Sequence, residues 1–452
     1  MKTTLFFIGF LACGAFCFAQ DSTLTNLTFK EAVKIGLENN LNLNQQENLL
    51  VSSKVARTSG LLSFGPSVNI NGNTGRNNGN SFNQQEGQVY NGVLDFASAS
   101  LEANMPLFRG LNVYHTFKQS SNLYEAQLQN VSRTNQDVIR DIARQYLACL
   151  LDQSLVVINE KNLESQEQQY GQIREQVNAG SRAEVDLKNQ EYQVKNANLL
   201  LLRAKNTLRN DKAILAQTLQ LDPTISFGLE EPTWPTGGLE DLSLEELYQI
   251  GTARRSDLKM AYHNEKAAQF GYYATKGNYL PSVNLFASYG SAYNYIYRSD
   301  AIPDPDNRTF EQQFTSDNTQ LTYGLSFRIP LYNAFQTRSN VVRNRILYEN
   351  SKLAKENVEL TVKSEILLAY QNLGDAQATF EAAESQLAAA RISNSLERER
   401  YVLGISDIVA LTLANQLLTR AEGDFESARY TLMFQKLLIN YATGTLKFDD
   451  IP

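Results

Sequence analysis

Pro66-Ser67-Val68-Asn69 and Pro281-Ser282-Val283-Asn284 are the same four letters, 215 residues apart. Outward from that pair, residues 27–75 match residues 242–290 at the same offset without a gap. Leu27, Glu31, Ile35, Gly36 and Leu43 return as Leu242, Glu246, Ile250, Gly251 and Leu258, and Gly75 returns as Gly290. Downstream the offset becomes 224. Pro106-Leu107 answers Pro330-Leu331, Leu123-Tyr124-Glu125 answers Leu347-Tyr348-Glu349, Ile142 and Tyr146 answer Ile366 and Tyr370, and Gly180 answers Gly404. The second half therefore gains nine residues between residues 290 and 330. A repeat of this length is two copies of one structural unit, not a solenoid of short ones.

The chain has 452 residues, which by length alone suggests two or three domains. The duplication makes two intertwined halves the better reading. The N-terminus has the form of a secretory signal: Lys2, an apolar run from Leu5 to Phe18, then Ala19, after which the cut is expected. A lipoprotein cut before Cys13 or Cys17 is the alternative, although Phe16 is large for the position before Cys17. Past the signal only Cys149 remains, so no internal disulfide can form. No later segment reaches the roughly eighteen consecutive apolar residues of a membrane-spanning helix. An exported chain of this kind is either soluble or spans as a β-barrel. With 41 basic and 48 acidic residues, it lacks the basic excess of a nucleic-acid binder.

Leu111 to Tyr170 contains neither Gly nor Pro, and the pattern runs on to Ala179. At ~1.5 Å per residue this predicts a helix about 100 Å long. Ser181 to Asp222 is a second breaker-free run, and Phe335 to Leu403, with Gly374 inside, and Ile405 to Thr443, with Gly423 inside, repeat the arrangement. Ile139, Ala143, Leu147, Leu151, Leu155 and Ile158 recur in steps of three and four, as do Val362, Ile366, Tyr370 and Leu373. That is the seam of helices packed side by side.

Before each long helix the period changes to two. Leu321, Tyr323, Leu325, Phe327 and Ile329 alternate with Thr322, Gly324, Ser326 and Arg328, and Val283 to Tyr297 behaves likewise. The first copy is weaker: Val68, Ile70, Gly72 and Thr74, then Ala97, Ala99, Leu101, Ala103 and Met105. Strands of roughly ten residues, the length that crosses a bilayer at a tilt, are expected. Polar loops at Arg76–Asn91 and Arg298–Asn318 would join them. Phe64, Phe108, Tyr279, Tyr297 and Tyr332 gather near the strand ends, as in interfacial girdles. A soluble hairpin with one buried face is the alternative. Two hairpins cannot close a barrel, for which about eight strands is the practical minimum. The open edges then demand that several copies associate.

Together these parts resemble the TolC-like outer-membrane efflux protein family from Leu27 to about Leu446. The resemblance is carried by Leu27-Thr28-Phe29-Lys30-Glu31-Ala32 with its copy Leu242-Ser243-Leu244-Glu245-Glu246-Leu247, and by Leu61-x-x-x-x-Pro66 with Tyr279-Leu280-Pro281. Pro106-Leu107-Phe108, Pro330-Leu331-Tyr332 and Tyr401-x-x-Gly404 complete it. It implies a mainly α chain with a β-barrel portion, four strands per copy. Three copies would form a homotrimer with a twelve-stranded transmembrane barrel in outer-membrane lipid and an α-helical barrel in the periplasm. The implied partners are a periplasmic adaptor (membrane fusion) protein and an inner-membrane pump. The expected division is a signal peptide at 1–19, a first repeat at 20–220 (hairpin 64–106, helix pair 111–220) and a linker at 221–241. A second repeat at 242–446 (hairpin 279–330, helix pair 335–443) and a tail at 447–452 follow. The linker, with Trp234, would join the tail in an equatorial belt.

The resemblance also implies an aperture at the periplasmic tip, where Gly180 and Gly404 mark the turns. Asp186 matches an aperture aspartate and Tyr401 a latch tyrosine. The sequence departs elsewhere: two further aspartates of the family pattern align with Ala410 and Leu413, and a latch arginine aligns with Ser406. Asp407, Glu184 and Arg182 are nearby polar substitutes, whereas a ring of Leu413 would gate by dewetting. Asp186 and Asp407 can equally be helix-start residues after a turn.

No catalytic motif is present in a convincing context. His115 and His263 have no Cys or His at ligand spacing and read as helix-surface residues. No cofactor, metal or nucleic acid is expected, and the chain reads as a passive conduit rather than an enzyme. The leading expectation is an exit duct for drugs, metals or other small solutes. The alternatives are the outer-membrane component of type I protein secretion and an exported coiled-coil structural protein.

Overall fold

The computed structural model describes residues 26–83, 87–225, 227–232, 239–297 and 308–451. The expected signal at 1–19 and Trp234 lie outside these residues. The first repeat runs α1 (Phe29–Asn39), α2 (Leu41–Leu62), β1 (Ser67–Asn83), β2 (Gln88–Arg109), α3 (Asn112–Asn178) and α4 (Glu184–Thr218). The second runs α5 (Leu244–Arg254), α6 (Ser256–Gly277), β3 (Ser282–Tyr297), a three-residue α7 (Phe310–Gln312), β4 (Gln320–Arg328), α8 (Gln336–Val402) and α9 (Ile408–Ala442). The helix pairs α1/α5 and α2/α6 start and stop at an offset of 215, and α3/α8 and α4/α9 at 224. For these eight helices the duplication is therefore one of structure to the residue.

Local chemistry sets the boundaries. Thr28 with Glu31, and Ser243 with Glu246, form matching capping boxes that satisfy the first amides of α1 and α5. The chain enters α3 through Leu111 and α8 through Phe335, both at φ near +60°. No described helix is long and apolar enough to cross a membrane.

The core lies part-way along the long helices, where the short helices pack on them. Phe29, Ala32 and Val33 of α1 pack on Ile139, Ile142, Ala143 and Tyr146 of α3, on Leu215 of α4 and on Leu219 just past its end. Leu247 of α5 packs on Val362, Ile366 and Leu373 of α8 and on Ile439 of α9. Both copies depend on one close approach. A Cβ on Gly36 would lie 2.2 Å from Ile142 Cδ1, and one on Gly251 would lie 2.4 Å from Ile366 Cδ1. The copies differ at Tyr146 and Tyr370. Leu27 and Leu229 form a parallel bridge, and the buried Tyr146 hydroxyl can donate to Leu27 O (2.7 Å) or Glu230 O (2.6 Å). Tyr370 was expected in the seam and is instead 40% exposed, because no described segment crosses it.

At the same level, fully buried Arg255 donates to Ala442 O (3.0 Å) and Asp257 Oδ1 (2.9 Å), and its guanidinium lies 2.7 Å from Glu365 Oε2. Its charge is thus neutralised where an unpaired one would be costly. Asp152 of α3 meets Asp211 of α4. Its Oδ2 is buried without a partner, since two carboxylates are both acceptors until one takes a proton. Burial first, then the neighbouring charge, push the Asp152 carboxyl up to about 7.

The sheet has the order β1-β2-β3-β4, all antiparallel, with β1 and β4 at the open edges. The expectation of ten-residue strands and a loop at Arg76–Asn91 is wrong for the first hairpin. β1 has 17 residues and β2 has 22, pairing as far as Asn83 with Gln88. Once the ladder is established, backbone pairing continues through Asn- and Gly-rich sequence without an apolar face. The Arg76–Asp95 ion pair (2.6 Å) reinforces the extension. In the second hairpin β3 stops at Tyr297 and β4 starts at Gln320. Before β4, Gln313 folds back on β3, accepting from Asn294 N and donating to Asn294 O, each at 3.0 Å.

One sheet face carries exposed Val68, Ile70, Leu101, Leu285, Tyr289, Leu321, Tyr323, Leu325 and Phe327. The opposite face carries Asn69, Asn71, Ser98, Ser100, Glu102, Ser288, Thr322 and Ser326, aligned by register. His115 and His263 are partly covered rather than freely exposed on their helices. His115 is half-buried among Tyr114, Phe270 and Tyr273, and His263 Nδ1 lies 3.2 Å from Asn122 Oδ1. The α3–α6 packing that covers them is not visible in ligand spacing.

Candidate gate at the helical tip

At the end of the long hairpins farthest from the sheet, the chain turns between α3 and α4 and between α8 and α9. The two turns share one design. Ser181 N donates to Gln176 O (2.9 Å) and Gly180 N to Val177 O (2.9 Å); Ile405 N donates to Arg400 O (2.9 Å) and Gly404 N to Tyr401 O (3.1 Å). These paired bonds close each helix in a Schellman motif, which needs a left-handed residue at its last position. Gly180 (φ +71°) and Gly404 (φ +73°) supply it.

The side chains on these matched turns differ. Arg182 donates to the Tyr401 hydroxyl, and its guanidinium lies 5.3 Å from the Tyr401 ring centroid. The same Arg182 lies 3.6 Å from Asp186 Oδ2. One contact set thus ties the first turn to the end of α8 and brings together Arg182, Asp186 and Tyr401. Glu184 and Asp186 occupy the first turn of α4, where carboxylates favour the positive helix end. On the other turn, Ser406 donates to Glu397, which also pairs with Arg400 (3.1 Å). Ser406 therefore does not act as the tyrosine's partner; Arg182 holds that place.

Asp407 is the N-cap of α9, accepting from Ala410 N at 2.8 Å. Its carboxylate has a structural task of its own. Leu413 is 55% exposed in a stripe with Val409 and Leu417 along α9. Val402, Leu403 and Ile405 are exposed around the second turn. A line of large apolar side chains facing solvent on a helix calls for a partner surface. Sequence reading missed Glu397 and Asn394, whose amide donates to Asn415 Oδ1 at 2.6 Å. Only the helix-pair geometry reveals them.

The profile of the family described as outer membrane efflux protein matches residues 34–219 and 247–441. Outer membrane protein TolC of Salmonella enteritidis is 23% identical over 366 residues, covering 78% of this chain and 70% of the relative. Outer membrane efflux protein BepC of Brucella suis is 21% identical, covering 78% of this chain and 73% of the relative. Among solved structures, the outer membrane protein VceC of Vibrio cholerae superimposes with a TM-score of 0.78 at 13% identity over 92% of this chain and 96% of that one. The outer-membrane channel OprN gives 0.77 at 17% identity over 92% and 90%. Both matched stretches fall on the two structural repeats, and the chain belongs to the outer membrane efflux protein family.

Proposed function

We propose that this outer-membrane efflux protein works as three identical copies that form one exit duct. The observation carrying this is the sheet: one face apolar, the other polar, four strands wide, with both edges unpaired. Lipid tolerates no open edge, and β4 of one copy can pair with β1 of the next. Three copies give about twelve strands, wide enough for a water-filled lumen. The long hairpins continue the wall into the periplasm, and the exposed apolar tips fit a periplasmic adaptor that couples the duct to an inner-membrane pump. The duct conducts small solutes passively and carries out no chemistry.

The gate reading rests on two features of the tip. Arg182 bridges Asp186 and Tyr401, holding the two hairpins together, and the Leu413 stripe supplies an apolar lining. The Arg182 contacts act as a latch, and Leu413 resists wetting in the closed state. The test is native mass spectrometry of the detergent-extracted protein together with planar-bilayer recording. A trimer with ion currents, and a changed conductance or selectivity in Asp186→Asn, is expected. A monomer that needs no detergent would overturn the duct. Unchanged current and selectivity in Asp186→Asn would remove that residue from the gate.

A further inference from the structure

The foot of the sheet holds a positive cleft that neither the duplication nor the gate accounts for. Arg109 of β2 pairs in register with Ser282 of β3, and Ser282 pairs with Arg328 of β4. Adjacent strands lie ~4.8 Å apart, so the two arginine Cα atoms flank the serine about 10 Å from one another on one face. Arg109 Nε donates to Asn284 Oδ1 at 3.3 Å, which places its guanidinium on the polar face. The cleft there has a volume of about 810 Å³. Its lining includes Asn112, Asn284, Asn333, Gln336 and Thr337 with the two arginines, and no acidic residue.

Neither arginine has a carboxylate within ion-pair distance among the described residues. The carboxylate that shares their face, Glu102, pairs with Ser288, six residues up β3 from Ser282. At ~3.3 Å per residue that is about 20 Å away. The repeat does not demand these charges either. At the offset of 224, Arg109 corresponds to Asn333 and Arg328 to Asn104, so each half places an arginine where the other has asparagine. Both cations then converge on the same serine.

We propose that this cleft binds a phosphate group. Guanidinium forks match phosphate oxygens two at a time, and two of them balance a dianion. The surrounding amides and the Ser282 hydroxyl supply further donors. The luminal position of the cleft rests on the three-copy duct; the convergence of the two arginines does not. In that duct β1 of the next copy flanks the open side of β4 and narrows the cleft.

The test uses the full-length oligomer in detergent, delipidated, with inorganic phosphate as probe and ³¹P NMR line broadening as readout. Wild type should bind phosphate, Arg109→Gln or Arg328→Gln should weaken binding roughly tenfold to a hundredfold, and the double variant should show none. Arg109→Lys and Arg328→Lys, which keep charge but lose the fork, should fall between and serve if the glutamine variants fail to assemble. A phospholipid that copurifies with wild type and not with the double variant would identify a lipid phosphodiester as the natural occupant and support the site. Broadening equal in wild type and the double variant, or none in delipidated wild type, overturns it. Absence of ion current from wild type in a bilayer would sink the duct and leave the phosphate result standing.

Discussion

Replacing Gly36 with alanine tests whether a methyl-sized gap sets the depth at which α1 seats on α3. The new Cβ would lie 2.2 Å from Ile142 Cδ1 and 3.3 Å from Leu219 Cδ2. Ile142 is fully buried, so its methyl has no solvent to swing into. Overpacking of this kind costs about 1–3 kcal/mol, and alanine regains up to ~1 kcal/mol over glycine inside a helix. A net loss of about 0–2 kcal/mol follows. Ile142→Val alone removes Cδ1 and should cost ~0.5–1.5 kcal/mol. In the double variant the added Cβ occupies the space the methyl left, so the two changes should couple favourably by about 1–3 kcal/mol. The partner cycle, Gly251→Ala with Ile366→Val, should give the same sign at its 2.4 Å approach. Hydrogen exchange of α1 and α5 amides in the purified protein reads these opening energies, about tenfold in rate per 1.4 kcal/mol. Additivity within ~0.5 kcal/mol in both cycles would refute the seating argument.

Asp152→Asn should stabilise the helical region increasingly with pH. The folded carboxyl, at about 7 against an ordinary 3.8, holds its proton more tightly than the unfolded one, so wild-type stability falls as pH rises from about 4 through 7. The ceiling is ~4 kcal/mol, and solvent screening reduces the expected gain at pH 8 to about 1–2 kcal/mol; thermal melts with no pH-dependent difference would contradict the Asp152–Asp211 pairing. Gly180→Ala and Gly404→Ala should each cost roughly 1–2 kcal/mol at the tip, because both need a left-handed backbone; unchanged exchange in the last turns of α3 and α8 would count against it. Arg182→Ala should raise mean single-channel current by releasing Tyr401, and Tyr401→Phe should reproduce part of the rise. Identical currents would show that the contact does not hold the tip closed. Tyr146→Phe should loosen the Leu27–Leu229 bridge, seen as faster exchange at Leu27 and not at Leu242.

The fold was legible because its signals repeat. Long runs nearly free of Gly and Pro, Gly180 with Gly404 and the capping boxes each occur twice at fixed offsets, so each helix boundary had an independent witness. The first hairpin was misjudged because Asn- and Gly-rich sequence looks like loop, and strand pairing there comes from the partner backbone and the Arg76–Asp95 pair. Tyr370 was misjudged for the opposite reason: the periodicity of α8 copies that of α3, while the covering segment at Leu229 has no described counterpart. At the tip, sequence singled out Arg182, Asp186 and Tyr401, and the structure brings them into contact. Asp407 was legible only as a choice between cap and charge, and the bond to Ala410 N assigns it the cap. Arg109 and Arg328 lie 219 positions apart and become neighbours only through the strand register.

The matched tip turns have a consequence for whatever docks beneath them. Their backbones follow the same path, yet one displays Arg182 bound to a tyrosine and the other a serine bound to Glu397. In the proposed ring of three chains the turns would offer six sockets alike in shape and alternating in chemistry. A collar of identical subunits that gripped only contour could engage all six with equal strength. One that depended on the cation would fill every second socket, so counting occupied positions would reveal which property the collar senses.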